Sequence, residues 1–138
     1  MGPVITHSFA PKESWPGATW KVYLNAFDSD DDMQAIYCIL DQAGAGSYPA
    51  SVTRIPKDQQ RKLSGYLYLN TAGVAGLNYA NLILKVQIQN RPGRLSEPVS
   101  FLLSFNPRAR EENPPPGVFQ EKELGPIMVS PPSFSSGP

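Results

Sequence analysis

Residues 81–105 read NLILKVQIQNRPGRLSEPVSFLLSF, and they hold two alternating apolar runs: Leu82, Leu84, Val86 and Ile88, then Val99, Phe101, Leu103 and Phe105. Successive side chains of a strand point to opposite faces, so each run describes a strand with one buried face. Between them, Asn90-Arg91-Pro92-Gly93-Arg94-Leu95-Ser96-Glu97-Pro98 concentrates turn-forming residues and predicts a hairpin-like connection.

The same period recurs upstream. Val4 to Phe9 reads as an edge strand ended by Pro11. Residues 18–27 place Trp20, Val22, Leu24 and Ala26 on one face and Lys21, Tyr23 and Asn25 on the other. Ile36, Cys38 and Leu40 alternate in residues 35–41, and Gly44-Ala45-Gly46 ends that run. Residues 48–55 are irregular, broken by Pro49 and Pro56, and suit a short edge strand, where a missing N–H donor is tolerated. A charged connection over residues 57–62 leads to residues 63–70, with Leu63, Leu67 and Leu69 inward and Ser64, Tyr66, Tyr68 and Asn70 outward. Glycines at 73 and 76 make the next loop. The total is seven strands at the spacing of an antiparallel sandwich, with no long helical periodicity to compete.

Composition narrows the function classes. At 138 residues the chain fits one domain better than two. Twelve basic residues balance twelve acidic ones, so the excess positive charge that nucleic acid rewards is missing and nucleic acid is not an expected partner. Cys38 is the only cysteine, which excludes an internal disulfide and a multi-thiolate metal site. No run reaches the roughly 18 apolar residues of a membrane span. The N-terminus lacks a charged region followed by an apolar stretch, so a secretion signal is expected to be absent from this sequence.

From Pro107 the composition shifts. Residues 106–113 are polar, Pro114-Pro115-Pro116 favours extended chain, and the Ser/Gly-rich end with Pro131 and Pro132 reads as disordered. Val118, Phe119, Leu124 and the Ile127-Met128-Val129 cluster interrupt this polarity. Apolar residues on such a polymer need a surface to cover them.

The strand over residues 82–89, followed by the Asn90 to Pro98 turn and Val99, resembles the last hairpin of immunoglobulin-like and fibronectin type III-like domains, nearest in likeness to those of bacterial envelope proteins and lipoproteins. The phrase Val22-Tyr23-Leu24-Asn25-Ala26-Phe27-Asp28-Ser29-Asp30 is similar to their second strand running into an acidic turn. The resemblance covers residues 3–106, and the paired cysteines of antibody-type domains are missing. It implies an all-β, antiparallel immunoglobulin-like sandwich of about seven strands. A proline-rich tail over 107–138, partly extended or disordered, follows. Such domains serve as spacers, adhesion modules or assembly parts in secreted or cell-envelope proteins, and fold alone does not choose among these uses.

Two constellations bear on chemistry. Asp28, Asp30 and Asp32 sit in one strand-connecting turn, where clustered carboxylates can supply part of the roughly six to eight oxygens calcium takes. The run fails as an EF-hand, because Met33 stands at the glycine position and Ile39 at that of the bidentate glutamate. A solvated acidic turn is the competing explanation. His7, the single histidine, has no G-x-S-x-G elbow or second metal ligand nearby and reads as a surface residue.

In the expected topology the second strand lies beside residues 63–70, so Tyr23, Tyr66 and Tyr68 converge on one face. Either that face docks a protein or a sugar, or the tail covers it through Phe119, Leu124 and Ile127. The Ile127-Met128-Val129 segment is also suited to adding a strand to a neighbouring subunit. The leading expectation is a non-enzymatic interaction or assembly module. Its partner-binding candidates are Tyr23, Tyr66, Tyr68, Phe119, Ile127 and Met128. A carbohydrate-binding module and a calcium-stabilised adhesion spacer are the alternatives; no other cofactor is expected.

Overall fold

A computed structural model describes residues 2–43, 46–73 and 81–129. Each of the seven expected segments is a strand: β1 (Val4–Phe9), β3 (Thr19–Phe27), β4 (Met33–Gln42), β5 (Gly46–Arg54), β6 (Lys62–Asn70), β7 (Leu82–Asn90) and β8 (Val99–Phe105). Two short strands join them, β2 (Glu13–Ser14) and β9 (Glu123–Pro126). One sheet has the order β1-β3-β6-β9 and the other β2-β8-β7-β4-β5. The only helical elements among the described residues are two short 3-10 turns, Lys57–Gln59 and Thr71–Gly73, and no helix there is long and apolar enough to cross a membrane. Gly44, Ala45, residues 74–76 of the glycine loop, and the Ser/Gly-rich end from residue 130 lie outside the described residues.

The sheets are mixed, which corrects the purely antiparallel expectation. β2 runs parallel to β8, pairing Glu13 with Ser104 and Ser14 with Phe105, and β9 runs parallel to β6. Tight hairpins enforce antiparallel pairing, whereas β2 and β9 reach their edges through longer connections that leave direction free. β5 is an edge strand as expected, but it is nine residues long rather than short. Its ladder with β4 shifts register between the pairs Cys38–Ser51 and Leu40–Tyr48. Pro49 falls within that interval, so the residue without an N–H sits where the ladder is interrupted.

The core lies between the sheets. Trp20, Val22, Leu24, Leu63, Leu67 and Leu69 from one sheet are buried with Met33, Ile36, Cys38, Leu40, Leu82, Leu84, Val86, Ile88 and Leu103 from the other. Trp20 also donates its indole N–H to the Pro11 carbonyl at 2.9 Å, which satisfies its one polar atom. On β8 the burial is weaker, with Val99, Phe101 and Phe105 only half-buried against the core. The connection from β7 to β8 is not a tight hairpin. The Ser96 hydroxyl accepts the Ile88 N–H at 2.9 Å and the Ser96 N–H reaches the Ile88 carbonyl at 2.8 Å, so the chain pairs briefly with β7 before β8 begins.

Beyond β8 the chain returns across the outer face of the four-stranded sheet. The Asn25 amide donates to the Val118 carbonyl at 2.8 Å, the Gln120 N–H to the Ser64 hydroxyl at 3.0 Å, and the Tyr66 N–H to the Lys122 carbonyl at 2.9 Å. Ile127 donates its N–H to the Tyr68 carbonyl at 2.7 Å and buries its side chain in the core. Gly65 permits this close approach. A Cβ there would run into the Lys122 carbonyl and stand 2.9 Å from the Leu124 side chain.

Gly65→Val is therefore expected to lower unfolding stability by about 1–3 kcal/mol, the usual cost of overpacking. Urea denaturation measures the loss, and hydrogen exchange at the Tyr66 amide should accelerate as β9 is displaced.

Candidate functional site

The strand register places the tyrosines as their alternation demands. Tyr23 pairs with Tyr66 and Lys21 with Tyr68 across β3 and β6, all on the outer face. The Tyr23 and Tyr66 rings meet edge to face, 5.6 Å apart at 81°, and Phe119 of the returning segment stacks at 45° on Tyr23 with centroids 5.5 Å apart. Tyr23 is left only 5% exposed. Tyr66 and Tyr68 are half-buried, as is Phe119, while Met128 stands out in solvent and Ile127 is buried. The returning segment covers Tyr23 through Phe119, whereas Leu124 and Ile127, expected to share that cover, pack against the core instead. The Tyr23 and Tyr66 rings are crossed rather than coplanar.

Glu121 completes the cover. It accepts the Tyr23 hydroxyl at 2.9 Å and lies 3.9 Å from the Lys21 ammonium. Burial, the hydrogen bond to Glu121 and the Glu121 charge together push the Tyr23 phenol up to about 12. Lys21 lies over the Tyr66 ring at 4.4 Å from its centroid. Sequence reasoning missed Glu121, Asn25 and Ser64, which anchor the segment. Their signal was faint: two polar residues, Asn25 and Ser64, directly opposite each other on adjacent strands and bonded at 2.6 Å.

The acidic turn joins β3 to β4 and is fixed by three backbone hydrogen bonds to two segments. Asp28 donates its N–H to Arg61 at 2.9 Å, Arg91 donates its N–H to the Asp32 carbonyl at 2.9 Å, and Met33 donates its N–H to Gln60 at 3.1 Å. Asp31 takes a left-handed conformation with φ of 56°, which aspartate tolerates better than most residues. Asp28, directly after β3, is drawn inward until it is 1% exposed. One of its carboxylate oxygens accepts the Asp30 N–H at 2.9 Å. The other, Oδ2, is buried without a hydrogen-bond donor, and so is Asp32 Oδ1. One carboxylate oxygen from each of Asp28, Asp30 and Asp32 falls within a 4.8 Å cluster. The Asp32 carboxyl is pushed above its ordinary range, first by burial, then by hydrogen bonding to Asp28 and by repulsion from Asp28 and Asp30, with Arg91 opposing.

His7 is exposed on β1, its Nδ1 3.2 Å from the Thr6 hydroxyl. Cys38 is buried in the core, and burial pushes its thiol up to about 12, far from a reactive thiolate.

The outer face of the five-stranded sheet is different. Leu102 and Ile83, paired across β8 and β7, are 55% and 46% exposed, and Val52 on β5, paired with Tyr37, is 53% exposed. Half-buried Ile39 lies between, opposite Lys85, and Asp41 lies opposite Ile83. An apolar diagonal thus crosses four strands, with Lys85 and Asp41 beside it and Lys12 and Glu13 at its Leu102 end.

The chain matches no family model, no curated protein and no solved structure.

Because the Tyr23 phenol is held neutral, its contribution to stability is complete below pH 10 and falls away as the pH climbs through about 12. Ultraviolet titration of the folded protein should show one tyrosine ionising near that upper value. Glu121→Gln should bring it down, toward the ordinary range, without removing the part caused by burial.

Proposed function

We propose that this protein is a non-enzymatic assembly module built on an immunoglobulin-like sandwich, and that it associates with a second copy through the outer face of its five-stranded sheet. The strand order supports the fold reading. β1-β3-β6 follows the A-B-E order of immunoglobulin sheets with β9 in the place of strand D, and β8-β7-β4-β5 follows G-F-C-C′. The bacterial secreted or envelope setting rests on the likeness of the hairpin and second strand, and belongs to this proposal.

The observation that carries the contact surface is the diagonal of Leu102, Ile83, Ile39, Tyr37 and Val52. Contiguous exposed apolar side chains on a sheet face mark an interaction surface more often than scattered ones. Lys85 and Asp41 flank it on adjacent strands, so the same patch on a second copy presents the opposite charge to each. A two-fold dimer requires such a self-complementary surface. The tyrosine face is less suited to this role, because Phe119 and Glu121 already occupy it.

Sedimentation equilibrium at micromolar to millimolar protein should show a dimer. Leu102→Asp or Ile83→Asp should weaken it by at least about tenfold, as truncating a central hot-spot residue does. Lys85→Glu should weaken association, and Lys85→Glu combined with Asp41→Lys should restore it. A monomer at every concentration, or a dimer indifferent to Leu102, would sink the proposal.

A further inference from the structure

The two orphaned oxygens in the β3–β4 turn are the least explained polar atoms among the described residues. A buried carboxylate oxygen without a donor forfeits the hydration it had in the unfolded chain, and a second such oxygen facing the same cluster adds repulsion. Here Asp28 is almost wholly enclosed, yet with both carboxyls ionised its Oδ2 and Asp32 Oδ1 meet no donor. The described ion pairs lie elsewhere, between Lys21 and Glu121 and between Lys122 and Asp58, so no lysine or arginine closes on the cluster within 4.0 Å.

We infer that Asp28, Asp30 and Asp32 form a divalent-cation site of the calcium class, with the enclosed Asp28 Oδ2 and Asp32 Oδ1 as its inner ligands and the exposed Asp30 carboxylate as its outer one. The spacing at alternate positions brings one oxygen from each within 4.8 Å, and the backbone of the turn is already held by β7 and by the segment before β6. Three carboxylates are too few for the roughly six to eight oxygens of a calcium shell, so water completes it on the exposed side. The mixed carboxylate and water shell, open to solvent at Asp30, suits calcium, whose coordination is adaptable, better than magnesium, which holds a strict octahedron. Binding would tie the β3–β4 turn more firmly to Arg91 of the β7–β8 connection and to residues 60 and 61. It would therefore stiffen one end of the sandwich. This inference is independent of the dimer proposed above, whose surface lies on another part of the molecule.

The test uses the whole chain, stripped of metal with EDTA and dialysed. Isothermal calorimetry with calcium chloride should give saturable heat at one site per chain, and the melting temperature should rise with calcium but not with an equal ionic strength of sodium chloride. Asp30→Asn removes the charge of an exposed ligand while leaving the Asp30 N–H in place. It should weaken calcium binding about tenfold or more. Its metal-free melting temperature should be no lower than that of the unaltered chain, because one repelling charge is gone. Asp28→Asn should abolish the calcium response. Absence of heat and of a melting shift with calcium overturns the site, as does a response that both variants retain in full. A response to magnesium alone overturns the calcium assignment.

Discussion

Burial of alternate side chains between two sheets is the interaction on which every other feature of this protein depends. Trp20, Leu24, Leu67, Met33, Ile36, Leu84 and Ile88 are all but removed from solvent, and each such side chain contributes on the order of 1.5–3 kcal/mol relative to exposure. With one face of β3, β4, β6 and β7 committed to that core, the opposite faces are left to be wetted, covered or used. The two sheets resolve this differently.

On the four-stranded sheet the chain covers its own surface. The return of residues 117–128 turns a row of outward tyrosines into a second, thinner packed layer, with Phe119 on Tyr23 and Glu121 on its hydroxyl. The layer depends on a missing side chain. Gly65 stands where the Lys122 carbonyl comes closest, and the Tyr66 N–H just beyond it takes that carbonyl as its partner. Removing bulk at one position thus lets an edge strand form in a direction that no hairpin could have produced. On the five-stranded sheet nothing comparable lies over Leu102, Ile83 and Val52 among the described residues.

The acidic turn illustrates a different pressure. Asp28 is anchored by its backbone to Arg61, holds the Asp30 N–H with one carboxylate oxygen, and is pulled below the surface at the end of β3. Its three-dimensional setting, rather than its charge density, distinguishes it from an ordinary acidic surface. In the sequence, Asp28, Asp30, Asp31 and Asp32 look equivalent. In the fold, Asp28 is enclosed, Asp32 half-buried and Asp30 exposed.

Alternation along the chain, clearest from Leu82 to Ile88 and from Trp20 to Ala26, was enough to establish an all-β chain and the inward sets of β3, β4, β6 and β7, because side-chain direction on a strand follows a period of two whatever the partner. The pairing of β3 with β6, and with it the meeting of Tyr23 and Tyr66, did not follow from alternation; it was expected from the strand order of the sandwich that the sequence resembles. Parallel β2 and β9 were not, since a strand of two to four residues has too few alternations to register and its direction is decided by where the chain arrives. Nor did sequence reveal that Glu121 would meet Tyr23 across 98 residues, or that two of several neighbouring aspartate oxygens would be sealed from water. Those outcomes belong to tertiary structure, because contact between distant segments and exclusion of solvent exist only once both sheets are packed.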